Sequence, residues 1–319
     1  MSRCLLRCLA FTLALFIAAP SQAYPDRPIK FVVPFSSGSA TDALARILGE
    51  EISKRLGQPV IVENIAGANG VLAAQAVARA APDGHTVLIS TNTTHASNQS
   101  LMKNVPYDAV TSFEPVTKLG TISLALITSR TIPAKNLVEL IGYAKANPGK
   151  LTFGYGSGSS RIAGEMLKTM AGIDVLPVPY KSNPQAITDL LGGQIGMVFA
   201  DISTTLPQVR AGAANGLAVS TAKRSSLAPD LPTIAEAGLP GYDLAAWFAA
   251  FVPAKTPGPI VDKLHDAFLA ALNDPSTQER LLKAGIEPEA STPDELKAFV
   301  VSDIRKWADI VKAAGIPPE

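Results

Sequence analysis

Strand-like and helix-like runs alternate along most of this chain, and that alternation limits the possible folds more than any other feature. Ile29-Lys30-Phe31-Val32-Val33 reads as a strand ended by Pro34. A helix is predicted over 41–56, where Leu44, Ile47, Leu48, Ile52 and Leu56 recur at helical spacing and Gly57 supplies a stop. A strand over 60–62, a turn over 67–70, a helix over 71–80 and a strand over 86–90 follow. The pattern then repeats, with strands over 124–128, 151–153, 175–178, 195–199 and 216–220 and helices over 137–146, 161–171 and near 184–191. Such alternation implies parallel sheets with helices on their faces. Beyond Trp247 come an apolar segment at 249–253 and helices near 259–272, 275–284 and 293–314. Two such sets and a helical tail, in a chain of 319 residues, imply an α/β protein of two lobes, with the tail returning over the first.

The N-terminus has the three-part layout of a secretory signal peptide. Arg3 and Arg7 give a basic start, an apolar run follows over 9–19, and small residues stand at Ser21 and Ala23. The run is shorter than the ~20 residues that span a bilayer. Cleavage after Ala23 and residence in the periplasm are therefore expected. Cys4 and Cys8, the chain's two cysteines, leave with the leader, so the mature chain has no disulfide or thiolate chemistry. The chain has 28 Lys and Arg against 27 Asp and Glu, and losing Arg3 and Arg7 leaves it near neutrality. That balance argues against nucleic acid or an anionic membrane surface as partner.

Two segments share one design. Phe35-Ser36-Ser37-Gly38-Ser39-Ala40-Thr41-Asp42 joins a strand end to a helix start, and Gly154 through Ser157, Ser159, Ser160 and Arg161 does the same in the second set. A helix start leaves backbone N–H groups unpaired and carries partial positive charge. Small residues let a ligand reach that backbone and hydroxyls add donors, which together make an anion site. Ordinary N-capping would use the same residues, and Asp42 reads first as a cap or loop brace. Arg161 in a first helical turn opposes the helix dipole, and either a bound carboxylate or Glu165 at i+4 would offset it. Asp201 follows the 195–199 strand and is read as a cleft-facing binding residue in preference to a cap of the next segment, because of where the strand ends.

Enzyme signatures fail on spacing. Gly154, Gly156 and Ser159 lack the third glycine of a dinucleotide loop, and Gly156 stands where a nucleophile elbow needs Ser. His85, His95 and His265 are the only histidines and none has metal-ligand spacing, so neither metal nor cofactor is expected. No catalytic residue is assigned, although a secreted hydrolase with a cryptic Ser nucleophile stays open as a rival.

Several segments, in order, carry a family resemblance over nearly the whole mature chain. They include Tyr24-Pro25-Asp26-Arg27-Pro28-Ile29, Pro34-Phe35 through Thr41-Asp42, Gly67-Ala68-Asn69-Gly70, Pro82-Asp83-Gly84-His85-Thr86, Pro179-Tyr180-Lys181, Asp189-Leu190-Leu191-Gly192-Gly193 and Leu231-Pro232-Thr233. The chain thereby resembles the Bug family, the substrate-binding components of tripartite tricarboxylate transporters. The resemblance implies a two-lobed, type II-like periplasmic binding protein fold, each lobe a mostly parallel sheet flanked by helices, with the ligand cleft between them. It implies lobe I over 24–123 plus 251–319, lobe II over 124–250, and hinge crossings near 124–128 and 249–253. It further implies a small organic acid as ligand and membrane permease subunits as partners; among such acids a di- or aromatic carboxylate is favoured, Arg161 pointing to a second carboxylate, and a monomer is expected. The loops matching Phe35–Asp42 and Ser157–Arg161 would hold carboxylates, and the loop with Thr91, Asn92 and Thr93 would line the cleft. A periplasmic partner of a two-component sensor is the alternative role. Gly38-Ser39, Arg161 and Lys181-Ser182 depart from the family's usual residues and bear on ligand identity.

Overall fold

A computed structural model of the chain describes residues 24–318; the leader at 1–23 and its cleavage point lie outside the described residues. β1 (Ile29–Val33) buries every residue but Lys30. A strand covered on both faces needs such an unbroken apolar run. β1 lies between β2 (Val60–Asn64) and β3 (Thr86–Thr91), parallel to both. α1 (Ala40–Leu56) begins where Ser39 Oγ accepts the Asp42 N–H at 3.2 Å and ends at Gly57 in left-handed conformation. It buries Leu44, Leu48 and Ile52 completely, and each such side chain stabilises the fold by about 1.5–3 kcal/mol. α2 (Val71–Ala78) connects toward β3. After β3 the chain makes a wide turn over Thr93–Ser97 and a short helix, α3 (Asn98–Leu101).

β4 (Phe113–Ser129) holds the molecule together. The expected strand at 124–128 is only its second half. Pro115, Lys118 and Gly120 interrupt the apolar pattern of the first half, which pairs with register shifts at Pro115/Thr117 and Lys118/Gly120. Beyond β4 come α4 (Leu137–Ala146), β5 (Leu151–Tyr155), α5 (Gly158–Ala171), β6 (Val175–Pro179) and α6 (Asn183–Leu191). β7 (Met197–Asp201), α7 (Ile202–Arg210) and β8 (Ala214–Val219) follow. α7 escapes a periodicity search because Pro207 and a run of Ser and Thr interrupt its apolar face. β9 (Ala245–Pro253), α8 (Gly258–Leu272), α9 (Pro275–Lys283), β10 (Ile286–Pro288) and α10 (Pro293–Ala313) complete the chain.

The strand order is β2-β1-β3-β9-β4-β7-β5-β6, with β8 and β10 also pairing to β4. Each end of this curled sheet is parallel, β2-β1-β3 at one and β7-β5-β6 at the other, while β9 and β4 join them antiparallel. Phe113–Ser123 of β4 pairs with β9, whereas Leu124–Ser129 pairs with β7 and β8. The helical tail covers the β1 end, where Phe268 of α8 stacks on Phe31 with ring centroids 5.5 Å apart. α10 starts with a full capping box of Thr292 and Glu295 and packs against β4 and the turn at Thr93–Ser97. Its Asp303 accepts both indole N–H groups, from Trp247 at 2.6 Å and from Trp307 at 2.7 Å.

Candidate functional site

The carboxyl ends of the parallel strands converge on one cleft with about 330 Å³ free of protein atoms. Phe35, Ser39 and Thr41 come from the β1–α1 junction, and Thr91, Asn92 and Thr93 from the end of β3. Ser157 and Ser159 come from the β5–α5 junction, Ser182 and Asn183 from the β6–α6 junction, and Asp201 from the end of β7. Ala246 and Phe248 of β9 form the floor. Helix starts therefore point their partial positive charge at this space from several sides.

Local chemistry shapes the β1–α1 loop. Gly38 has φ of 83°, a backbone that side chains rarely adopt, and its N–H reaches Asp42 Oδ2 at 3.0 Å. Asp42 also accepts from Asn64 Nδ2 at 3.0 Å and from Arg46 at 2.9 Å. Asp42 thus braces the loop. Burial alone would push its carboxyl up, but hydrogen bonds from Arg46, Gly38 and Asn64, with the Arg46 charge, hold it below the usual range. Ser37 and Gly38 are exposed, and Ala40 is buried in the core; these sequence-selected residues do not line the cleft.

On the other wall Ser157 Oγ caps α5 by accepting the Ser160 N–H at 3.2 Å and sits 3.3 Å from Ser159 Oγ. Ser160 is turned away and ties α5 to β7 through the Phe199 carbonyl. Arg161 also turns away. Its Nη2 donates to the Pro317 carbonyl at 3.2 Å, and its guanidinium lies 5.7 Å from the Tyr155 ring centre. Glu165 pairs with Lys168 at 3.1 Å. Of the two partners expected for Arg161, Glu165 is thus engaged by Lys168.

Ser182, Asn183, Ala246 and Phe248 were not selected from the sequence. Ser182-Asn183-Pro184 before a predicted helix repeats the hydroxyl-then-helix design and was the available signal. A Cβ at Gly156 would stand 2.1 Å from the Ser182 carbonyl carbon, so glycine there lets the two junctions touch. Asn183 Oδ1 accepts the Gly156 N–H at 2.9 Å, which leaves its amide nitrogen for the cleft. For Ala246 and Phe248 the sequence holds no signal beyond strand alternation.

The cleft is rich in unmatched donors. Asn92 Nδ2, Thr93 Oγ1 and Ser182 Oγ are buried and have no hydrogen-bond partner in the protein. Buried polar groups are almost always paired, so these three are available to a bound molecule or to water. Among the described residues no Lys, Arg or His lines the space. Asp201 heads α7, but its side chain makes no capping bond; its backbone carbonyl accepts from Thr204 Oγ1 at 2.8 Å instead. Burial pushes its carboxyl up to about 7.

Two other features lack this character. A larger cavity of about 750 Å³ lies against Ser123, Thr221, Lys223, Arg224, Ala245 and Glu287. It is on the opposite face of β9, as alternation of Ala245 and Ala246 requires, and among the described residues none lining it has a buried unpaired polar atom. Ser90 Oγ lies 2.6 Å from His95 Nδ1, the pairing a hydrolase would use. Both are fully buried outside the cleft lining, the ring stacks on Phe251 at 4.0 Å, and burial pushes the imidazole down to about 3.

Comparison with known proteins accords with this geometry. Residues 44–316 match the family described as tripartite tricarboxylate transporter family receptor. An R. palustris protein solved with adipate is 35% identical, with a TM-score of 0.90 over 93% of this chain and all of that one. The periplasmic binding protein BugD is 36% identical, with a TM-score of 0.89 over 93% of this chain and all of that one. MatC from Rhodopseudomonas palustris, solved with bound malate, is 33% identical, with a TM-score of 0.86 over 90% of this chain and all of that one.

Proposed function

The chain belongs to the tripartite tricarboxylate transporter receptor family, and we propose that it captures a small organic carboxylate in the cleft and delivers it to the permease subunits of such a transporter. The observation that carries the ligand class is the convergence of Asn92 Nδ2, Thr93 Oγ1 and Ser182 Oγ, buried and unpaired, on a space with no cation. Neutral donors and helix starts hold a carboxylate without the desolvation cost of a buried cation. The adipate and malate carried by two relatives support the same class. Phe35, Ser39, Thr41, Thr91, Asn92, Thr93, Ser157, Ser159, Ser182, Asn183 and Asp201 form the proposed binding set. Asp42, Ser37, Gly38, Ala40, Ser160 and Arg161 support it from behind.

The protein is read as a monomeric, non-catalytic carrier of the periplasm, its leader cleaved after Ala23. Among the described residues no helix is long and apolar enough to cross a membrane. Capture would proceed by closure of two lobes. We place the crossings at Ser123/Leu124 and Leu244/Ala245. There β4 exchanges partners, and Leu244 N–H still bonds the Ser220 carbonyl at 2.9 Å while Ala245 already pairs with Ser123. The pairing of all of Ala245–Pro253 with the first half of β4 supports a second crossing earlier than the 249–253 expected from the sequence.

The test is a thermal-shift and calorimetric screen of mono-, di- and tricarboxylates. At a hundredfold excess over Kd the true ligand adds about 2.7 kcal/mol of stability. If the whole panel gives neither a shift in melting nor heat, the carboxylate assignment is wrong.

A further inference from the structure

Among the described residues Asp201 is the one charged side chain that lines the cleft, and it faces a space otherwise furnished with donors. Among the described residues its carboxyl oxygens have no ion-pair or hydrogen-bond partner, although α7 begins immediately after it and offers free N–H groups. The side chain has thus declined the local partner that a helix-capping Asp would take. Resting on the carboxylate reading above, we propose that Asp201 is the specificity-determining residue of this cleft, reading whether the ligand group beside it is a hydrogen-bond donor or a second carboxylate.

The two cases use different protonation states. An ionised Asp201 accepts a hydrogen bond from a ligand hydroxyl or ammonium group. Opposite a second carboxylate, the same ionised group is repelled at close range in a space shielded from bulk water. Asp201 must then take one proton from solvent and donate it in a hydrogen bond to the ligand oxygen, with no bond broken in the ligand. Burial has already brought the carboxyl near neutral pH, so this protonation costs little there.

No neighbouring charge sets this equilibrium. On α7 itself Arg210 donates to the Leu227 carbonyl, and on β4 Lys118 pairs with Glu289. On α5 Arg161 reaches Pro317 while Glu165 and Lys168 pair together, and on α6 Asp189 accepts from Tyr180. Across the cleft Asp42 is held by Arg46, and His95 is enclosed by aromatic rings. β5, β8 and β9 carry no charged residue. The proton on Asp201 therefore answers to the ligand.

The experiment is calorimetry on the mature protein from pH 6.5 to 9, in two buffers of different ionisation enthalpy. The probes are the tightest binder among succinate, glutarate and adipate, and the monocarboxylate of the same length that ends in a hydroxyl. The dicarboxylate should bind with uptake of up to one proton, and its affinity should fall about tenfold per pH unit above 7. The hydroxy acid should lose no affinity over that range. Asp201→Asn should hold dicarboxylate affinity flat with pH, and its melting curve reports whether it is folded. A wild-type dicarboxylate affinity that is flat with pH and takes up no proton overturns the inference, as does an equal slope in Asp201→Asn. Binding of malate or benzoate with none of the three dicarboxylates bound at pH 6.5 also overturns it, while leaving the carboxylate reading intact.

Discussion

Asp42 Oδ2 accepts the backbone N–H of Gly38 at 3.0 Å, closing the loop that presents Ser39 and Thr41 to the cleft. The bond exists because Gly38 alone in that loop adopts a positive φ. Asp42 stands four residues on, in the first turn of α1, where a carboxylate also complements the helix dipole.

Asp42→Asn should therefore destabilise the protein by about 1–3 kcal/mol at neutral pH, since it removes an acceptor shared by Gly38, Asn64 and Arg46. Ligand affinity should fall with it as the loop loosens. The folded-state carboxyl lies below its unfolded value, so its stabilisation is complete above the unfolded range near 4 and is lost as pH falls through the folded value. The gap in melting temperature between wild type and Asp42→Asn should be constant from pH 6 to 8 and close below about pH 4. A gap that widens in acid would remove this role from Asp42.

Gly156→Ala tests contact between the two junctions of the second wall. Its added Cβ would lie 2.1 Å from the Ser182 carbonyl carbon and 2.2 Å from the Asn183 nitrogen, both backbone atoms that cannot rotate aside. A loss of about 1–3 kcal/mol in denaturant unfolding is expected, with weakened ligand binding. Gly142→Ala is the contrast. It is exposed in α4 with nothing within 4 Å of its Cβ position, so it should gain about 0.5–1 kcal/mol.

Why the sequence reveals some of this and not the rest follows from the range of each signal. Ser39 and Ser157 are legible because an N-cap acts within three residues, and both were read as parts of anion-binding junctions. The strand and helix alternation is equally local. β4 was read only as 124–128 because its first half is defined by pairing with β9, more than a hundred residues away, and not by its own apolar pattern. Ser182 stands out in the sequence only as part of the Lys181-Ser182 departure, since the close approach at Gly156 is what carries it into the cleft. For Asp201 the strand end favours the cleft over a cap, and its side chain makes no capping bond.

Arg161 is the clearest long-range case. A flexible side chain in a first helical turn can reach many partners, and one that it takes is the Pro317 carbonyl, 156 positions along the chain. A second bond, Thr169 Oγ1 to the Ala314 carbonyl at 3.4 Å, joins the same helix to the same tail. Arg161→Ala should lower stability by about 1–3 kcal/mol by leaving a carbonyl unpaired and removing the contact with Tyr155. It should change carboxylate affinity by less than threefold, because the side chain does not line the cleft. A loss of affinity beyond about tenfold, or 1.4 kcal/mol, without a fall in melting temperature would return Arg161 to the ligand.

Thr93 and Thr94 are adjacent and both fully buried, yet their hydroxyls should answer mutation in opposite ways. Thr94 Oγ1 lies 2.8 Å from Ser90 Oγ and donates to the Thr91 carbonyl at 3.1 Å. Thr94→Val should cost about 1–3 kcal/mol by leaving those partners unmatched. Thr93 Oγ1 has no partner in the protein and lines the cleft. Burying an unpaired hydroxyl is itself unfavourable, so Thr93→Val, which keeps the side-chain shape, should leave unliganded stability unchanged or raise it by up to about 1 kcal/mol. The same change should weaken carboxylate binding about tenfold, the ordinary worth of a hydrogen bond to a charged acceptor. Melting temperature and calorimetric affinity measured on both variants separate the two roles. If Thr93→Val melts lower and binds equally well, Thr93 is structural and the donor cluster loses its central member.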